Sequence, residues 1–153
     1  MSATERLAAL GVTLPQPAAA IAAYVPCVRT GNLVFISGQL PLAEGKVSQT
    51  GLLGDGVSIE QGKEAARLCA INLLAQLQAA AGSLENVRRV VRLGGFIAAT
   101  PSFADHAKAM NGASELMEAV FGEAGRHART TIGVASLPLG AAVEVEGLFE
   151  LAE

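Results

Sequence analysis

The pattern of residues 58–81 constrains the fold of this chain more than any other feature. Residues 58–61 read Ser-Ile-Glu-Gln, the pattern of a capping box, which predicts the start of a long helix that continues to about Ala81. The apolar positions that follow recur at helical spacing, and they include Ala66, Cys69, Ala70, Leu73, Leu74 and Leu77. Such a wide apolar stripe is suited to packing on a β-sheet.

Strand and helix patterns flank this helix on both sides. Residues 1–23 predict a short helix over 3–11 and then an extended connector with two prolines. Before the long helix, strands are expected over 25–29 and 33–37, joined by a turn. After it, a strand is expected over 87–98, bent or bulged at Gly94-Gly95, and then a helix over about 103–121, weakest at Asn111-Gly112. The last two expected strands cover 129–136 and 142–151. This order, β-β-α-β-α-β-β, favours one α+β domain over residues 1–153, with a mixed sheet of five or six strands.

The composition fits such a domain. Of 153 residues, 51% are hydrophobic and none is Trp, so the core is built mainly from aliphatic side chains. So high an apolar fraction in a small protein also indicates buried subunit interfaces. Nothing in the sequence has the length and apolarity of a membrane span or the pattern of a signal peptide, so we expect a soluble cytoplasmic protein.

Charge and cysteine use argue against several other classes of protein. The net charge is −3, which leaves no basic surface for nucleic-acid phosphates. The one basic run, Arg88, Arg89 and Arg92, is interpreted as a solvated strand face. Cys27 and Cys69 lack metal-ligand spacing and are expected to be buried free thiols.

Charged residues on the last two apolar strands are the strongest functional signal. Glu144 and Glu146 alternate with valines, and Arg129 lies about fifteen residues upstream, in a chain with only 16% charged residues. A site for a small anionic molecule would explain them, and an exposed strand face with scattered charges is the simpler alternative. Because side chains two apart share a face, the valine face is expected in the core and the acidic face towards solvent or a partner.

We expect these two strands to form an antiparallel hairpin. Pairing Ser136 with Ala141 would set Thr131 opposite Glu146 and would leave Arg129 too far from Glu144 for a contact. Either the register slips, or each group works with residues brought from elsewhere, including a neighbouring subunit.

Two motifs in the chain resemble the YjgF/YER057c/UK114 family, also called the RidA or L-PSP family. The first runs from Arg129 to Glu146 and reads Arg-x-x-apolar-x-Val-Ala-x-Leu-Pro, followed by apolar-Glu-apolar-Glu. The second is Tyr24 followed by residues 31–41, Gly-Asn-Leu-Val-Phe-Ile-Ser-Gly-Gln-Leu-Pro. The resemblance spans about residues 20–151, and the leading helix is similar to that of a longer branch labelled endoribonuclease L-PSP-like.

The resemblance implies a homotrimer of the chorismate-mutase-like fold, with two helices on one face of the sheet and small-molecule clefts between subunits. It also implies hydrolysis of enamines and imines such as 2-aminoacrylate to 2-oxo acids and ammonium, without metal or organic cofactor. By motif position, Arg129 would bind the substrate carboxylate and Glu144 would orient the attacking water or pass a proton. Tyr24, from a neighbouring chain, Ser37 and the Gly38 backbone would line the cleft.

The chain departs from the family pattern at two positions. Thr131 stands where the family commonly has cysteine, so a hydroxyl would replace the thiol. The pocket asparagine of the second helix corresponds to Asn111 or to Ser114, with Asn111 preferred. Both departures bear on the preferred substrate.

Two functions other than that of a deaminase are also compatible with this family resemblance. One is a non-catalytic module that binds 2-oxo acids in the same cleft, and another is an endoribonuclease, which the acidic pI of 5.4 and the 4% aromatic content do not favour. His106 and His127 have no metal-ligand spacing and are expected to be solvated or capping. The glycine-rich loop 45–56 lacks a Walker lysine and is interpreted as a connector.

Overall fold

The computed structural model describes residues 1–20 and 22–153, and its longest helix forms where the capping box predicts. Helix α2 spans Ile59–Ala81 and ends at Gly82, whose φ of 80° suits glycine. The Ser58 hydroxyl accepts from the Gln61 backbone at 3.1 Å, and the Gln61 side chain accepts from the Ser58 backbone at 2.9 Å. These two bonds satisfy helix-terminal N–H groups, so the capping-box prediction is confirmed.

Two further helices and five strands complete the main architecture. The helices are α1 (Ala3–Ala9) and α3 (His106–Phe121), and the strands are β1 (Cys27–Thr30), β2 (Leu33–Gln39), β3 (Val87–Ala98), β4 (Ala128–Val134) and β5 (Val143–Leu151). Within the segment between β2 and α2, two-residue strands pair Leu42–Ala43 with Lys46–Val47 and Leu52–Leu53 with Gly56–Val57. The element order agrees with the prediction, although α3 begins three residues later than expected.

The five strands form one mixed sheet in the order β1-β2-β5-β3-β4. Neighbouring strands are antiparallel except β3 and β4, which are parallel. Helices α2 and α3 cover one face of this sheet, so the predicted α+β two-layer fold is confirmed.

The predicted hairpin of the last two strands is wrong, because β3 lies between them. The parallel β4 pairs Thr131 with Gly95, whereas β5 pairs Glu146 with Gly94 from the other side. A short turn over Pro138–Gly140 carries the chain past the end of β3. Strands that follow each other in sequence commonly pair, but here β3 presents two open edges and takes one strand on each.

The bend predicted at Gly94-Gly95 is also misplaced. The register of β3 against β5 shifts between Val87 and Arg89 and again between Val90 and Arg92. The two glycines serve close packing instead: a Cβ on Gly94 would lie 2.9 Å from Cγ of Glu146, and one on Gly95 would collide with Met110. Glycine therefore lets side chains of a neighbouring strand and helix cross β3.

The alternation along β5 separates core from open face as predicted. The fully buried Val143, Val145 and Phe149 point into the helix-covered core, whereas Glu144 and Glu146 lie half-buried on the opposite face. The open face of the sheet also carries large apolar side chains, with Phe35 46%, Ile132 47% and Val28 54% exposed.

The connector between α1 and β1 has no helix or strand in the part that the structure describes. It is tied to the core by a buried amide, since Gln76 Nε2 of α2 donates to the Ala18 carbonyl at 2.7 Å. Ile21, within the connector that was predicted to be extended, lies outside the described residues.

Both cysteines are free, as expected. Cys69 is buried, whereas Cys27 is half-buried and not fully buried as expected. Burial, with the negative charge of Glu144 second, raises the pKa of the Cys69 thiol, which keeps it unreactive.

Among the residues described, no helix has the length and apolarity needed to cross a membrane.

Helices α2 and α3 meet so closely at Gly112 that this position tests the packing. A Cβ on Gly112 would overlap the backbone carbonyl oxygen of Lys63, whereas one on Gly62 would meet side-chain atoms, the Cδ2 methyl of Leu53 at 2.6 Å and the Cβ of Ala109 at 3.3 Å. We therefore expect Gly112→Ala to lower the free energy of unfolding by about 2 kcal/mol or more despite the better helix propensity of alanine.

Urea unfolding followed by circular dichroism measures this effect. The matched control is Gly62→Ala, which should change stability by less than about 1 kcal/mol because a side-chain methyl can turn aside. Equal stability changes in the two variants would contradict the close approach of the helices.

Candidate functional site

Arg129 lies on the helix-covered side of the sheet and is held there by α3. In the parallel register it pairs with Leu93, which is fully buried. Its Nη1 donates to Asn111 Oδ1 at 2.9 Å and to Ser114 Oγ at 3.1 Å, and its Nη2 donates to the Ala107 carbonyl at 3.4 Å. Asn111 and Ser114, the two alternatives for the pocket position, therefore both contact the arginine.

These bonds leave one edge of the guanidinium available. Arginine has five N–H donors in a rigid plane. Both Nη1 hydrogens and one Nη2 hydrogen are used, so Nε–H and the second Nη2–H are without a partner among the described residues. Two parallel donors on one edge match the two oxygens of a carboxylate.

Thr131 lies two positions along β4 from Arg129, on the same side of the strand. Its Oγ1 is buried and has no hydrogen-bond partner in the described part of the chain. A buried hydroxyl without a partner is unfavourable, and a ligand could satisfy this oxygen only if the side chains that cover it moved aside.

Glu144 lies on the opposite face of the sheet, two strands away. It pairs with Phe96 of β3, three positions from Leu93, the partner of Arg129. Because side chains alternate along a strand, an odd separation puts the two charged groups on opposite faces. One copy of the chain therefore cannot bring Arg129 and Glu144 to the same ligand.

The two carboxylates on the open face lean in different directions. A Cβ on Gly38 of β2 would lie 2.8 Å from Glu144 Oε1, whereas Glu146 crosses Gly94 of β3. Partial burial, with the charge of Glu146 second, raises the pKa of the Glu144 carboxyl. Glu144 therefore lies apart from Glu146, next to the Gly38 backbone.

Tyr24 and Ser37 lie on the same side as Glu144. The Ser37 hydroxyl donates to the Val25 carbonyl at 2.8 Å, and its backbone N–H donates to the Pro26 carbonyl at 2.9 Å. These bonds hold the segment of Tyr24 beside β2, where Tyr24 and Gly38 line a cavity of about 50 Å³. Tyr24 is 48% exposed, which leaves it able to contact a second molecule.

The predicted site residues thus form two groups on different sides of the chain. The first, called here the arginine half-site, comprises Arg129, Asn111, Ser114 and Thr131. The second, called the glutamate half-site, comprises Glu144, Gly38, Ser37 and Tyr24.

His127 is a site residue that sequence reasoning missed. It was expected to be solvated or capping, but it is half-buried, with Nε2 2.9 Å from Ser114 Oγ and Nδ1 2.7 Å from the Gly125 carbonyl. No spacing in the sequence joins Ser114 to His127, since the contact depends on how the loop after α3 folds back. His106 packs against the Gly133 backbone, and no cluster of metal-ligating side chains is found in the described residues.

Comparison with known proteins places the chain in a family. Residues 4–151 match the family model described as "YjgF/chorismate mutase-like, putative endoribonuclease". The chain belongs to this family. The family membership predicted from the two sequence motifs is therefore confirmed, as is the predicted chorismate-mutase-like fold.

Three relatives illustrate the range of similarity within the YjgF family. Protein TCP17 of Trypanosoma cruzi is 48% identical over 143 residues, which cover 93% of this chain and 89% of TCP17. The crystal structure of Atu1372 from Agrobacterium tumefaciens is 47% identical with a TM-score of 0.91, covering 97% of this chain and 92% of that one. The structure of E. coli TdcF with bound serine is 26% identical with a TM-score of 0.62, covering 90% of this chain and 94% of that one.

The raised pKa of Glu144 predicts a pH-dependent cost to stability. The folded chain holds the Glu144 proton to higher pH than the unfolded chain does, so stability falls as the pH rises from the ordinary glutamate range through the raised value. Glu144→Gln cannot ionise, so its melting temperature should increasingly exceed that of the wild type between about pH 4 and pH 7.

Thermal unfolding at several pH values measures this difference. Glu146→Gln is the matched control, since it removes only the smaller cause of the shift and should behave between the wild type and Glu144→Gln. A gap between Glu144→Gln and wild type that stays constant with pH would contradict the raised pKa.

Proposed function

We propose that this protein hydrolyses carboxylate-bearing enamines and imines of the 2-aminoacrylate type to 2-oxo acids and ammonium. The observation that carries the proposal is the pair of half-sites on opposite faces of one chain. Each half-site is incomplete alone, and together they supply a carboxylate clamp and a poised acid–base group. The reaction would take place in a cleft between two copies of the chain.

The roles follow from the geometry of each half-site. The free Nε–Nη2 edge of Arg129 would bind the substrate carboxylate, while Asn111 and Ser114 hold the guanidinium from behind. The Thr131 hydroxyl would donate to a substrate oxygen once the side chains that cover it had moved aside, and would so gain the partner that it lacks within the described chain. No metal or organic cofactor is required for this binding.

Glu144 would act on the water and the nitrogen. As a carboxylate it takes a proton from water while the oxygen attacks the imine carbon, and the proton passes to the imine nitrogen. Glu144 then passes the hydroxyl proton of the resulting carbinolamine to its amino group, the C–N bond breaks as the carbonyl of the 2-oxo acid forms, and the released ammonia takes a proton from solvent to become ammonium. Its raised pKa brings the carboxyl nearer the pH at which it can both accept and return a proton.

The open face of the sheet supports assembly of several copies. Val28, Phe35 and Ile132 expose about half of their surface on this face, which also bears Glu144. Apolar side chains concentrated on one sheet face favour a subunit interface. We propose a homotrimer, in which the face of one copy lies near the β4 edge and Arg129 of the next.

The family relatives agree with a small-molecule ligand. TdcF was crystallised with serine, an amino acid with the carboxylate that Arg129 is suited to bind. An endoribonuclease activity, which the family description mentions, has less support from the charges. Net charge is −3, and within the basic run Arg88 is paired with Glu150 at 3.5 Å.

A non-catalytic 2-oxo acid binder is the second candidate. The arginine half-site is preformed within one chain, so it could bind a carboxylate without any contribution from Glu144. Saturable binding of pyruvate without turnover of any imine would select this candidate.

Removal of the arginine tests the carboxylate clamp. Arg129→Ala should abolish the acceleration of ammonia release that the wild type gives when added to a dehydratase producing 2-aminoacrylate. Arg129→Lys keeps the charge but loses the planar fork, and should lower kcat/KM by about 10-fold or more.

Arg88→Ala is the matched control for the clamp. Arg88 is exposed, pairs with Glu150 at 3.5 Å and does not line the cavity of Arg129, so its removal should leave the acceleration unchanged. Wild-type acceleration in Arg129→Ala would exclude the proposed role.

Subunit mixing tests whether the two half-sites meet across an interface. Arg129→Ala and Glu144→Ala are each expected to be inactive as pure trimers. In each mixed trimer, one of the three sites combines an intact arginine from one subunit with an intact glutamate from another. Random 1:1 mixing should therefore restore about a quarter of the wild-type activity.

Co-expression with two different affinity tags isolates the mixed trimers for the ammonia-release assay, and without the inactive pure trimers these should have about one third of the wild-type activity. Mixing wild type with the double variant Arg129→Ala/Glu144→Ala serves as the control for assembly. Mixed Arg129→Ala and Glu144→Ala trimers without activity, beside active control mixtures, would show that Glu144 and Arg129 do not share a site.

A further inference from the structure

A short chain of hydrogen bonds runs from the loop after α3 to the guanidinium of Arg129. His127 Nδ1 lies 2.7 Å from the Gly125 carbonyl, and its Nε2 lies 2.9 Å from Ser114 Oγ. Ser114 Oγ in turn accepts from Arg129 Nη1 at 3.1 Å. The loop and the helix thus contact the proposed clamp through one hydroxyl.

The direction of these bonds follows from the first of them. A backbone carbonyl can only accept, so the proton of the neutral imidazole lies on Nδ1, and Nε2 is left as an acceptor. The Ser114 hydroxyl then donates to Nε2. Its lone pairs remain free to accept from Arg129, which has only donors.

His127 removes a competing use of the serine hydroxyl. A serine inside a helix readily donates to the carbonyl four residues earlier in its own helix, which would be that of Met110. An acceptor held at 2.9 Å by its own bond to Gly125 draws the hydroxyl outwards instead. The oxygen of Ser114 therefore stays directed at Nη1 of Arg129.

We propose that Ser114 and His127 are positioning residues, which hold Nη1 of Arg129 so that the Nε–Nη2 edge faces the substrate carboxylate. This inference rests on the proposed function and adds the residues that set the orientation of its clamp. Ser114, His127 and Arg129 line a cavity of about 260 Å³. Glu118 also lines this cavity, but it is bonded to Arg126 and does not compete for the guanidinium.

Two substitutions that are isosteric with each other test the hydroxyl. Ser114→Thr keeps the hydroxyl, whereas Ser114→Val has the shape of threonine without it. We expect Ser114→Val to weaken pyruvate binding by about 10-fold and to raise KM for the imine similarly, with kcat within about 2-fold of wild type. Ser114→Thr should recover most of the lost affinity.

His127→Phe tests the histidine independently, and it keeps the proposal testable if a Ser114 variant fails to fold. It removes the acceptor but keeps a flat ring, so it should weaken pyruvate binding by about 3-fold through the freed hydroxyl. Arg88→Ala, which removes an exposed arginine outside this cavity, should leave binding unchanged. Isothermal titration calorimetry with pyruvate measures all four variants.

A role limited to anchoring the loop predicts a different result. In that case Ser114→Val and Ser114→Thr would differ in melting temperature but would bind pyruvate equally, and equal binding would overturn the proposal.

An NMR readout separates this inference from the proposed function. In ¹⁵N-labelled protein, the Arg129 Nε–H signal should exchange faster with solvent in Ser114→Val than in Ser114→Thr. That difference is expected even if the wild type neither binds pyruvate nor hydrolyses imines, a result that would defeat the proposed function alone. Equal exchange in the two variants would overturn the positioning role.

Discussion

The pairing of the central strand β3 decides where the functional side chains of this protein lie. It takes β5 antiparallel on one edge and β4 parallel on the other. Through these registers Leu93 fixes the side of the sheet for Arg129, and Phe96 fixes the opposite side for Glu144. A change of one residue in either register would move that strand's side chains to the other face. The division into two half-sites is therefore a property of the sheet.

The two half-sites differ in how the fold supports them. Arg129 is held from behind by Asn111 and Ser114 of a helix that is packed closely onto α2 at Gly112, so its orientation is set before any ligand arrives. Glu144 is kept partly desolvated beside Gly38, and the raised pKa records that this arrangement opposes stability. Arg129 is therefore held in one orientation by hydrogen bonds, whereas the Glu144 carboxylate lies in an environment that disfavours its charge.

Local patterns predicted the elements well, and long-range pairing explains the errors. The capping box at Ser58 and the alternation along β5 depend on neighbours in sequence, and both were read correctly. The strand that pairs with β4 could not be predicted from neighbouring residues, because β3 and β5 both offer apolar edges. The turn at 138–140 is compatible with pairing to either strand. The link from Ser114 to His127 depends on the path of a loop, which no periodicity encodes. The sequence motifs pointed to Arg129 and Glu144 as candidate site residues, but only the order of strands in the sheet shows that they lie on opposite faces.

On the proposed function, this separation couples ligand binding to assembly. A ligand that contacts Arg129 of one copy and Glu144 of another binds fully only when the copies are associated. By linkage, anything that binds the assembled form and not the free chain stabilises the assembly. The apolar open face would supply most of the association energy, while the half-buried Glu144 carboxyl opposes further burial until the ligand arrives. Glu144 would therefore weaken the empty interface and strengthen the occupied one.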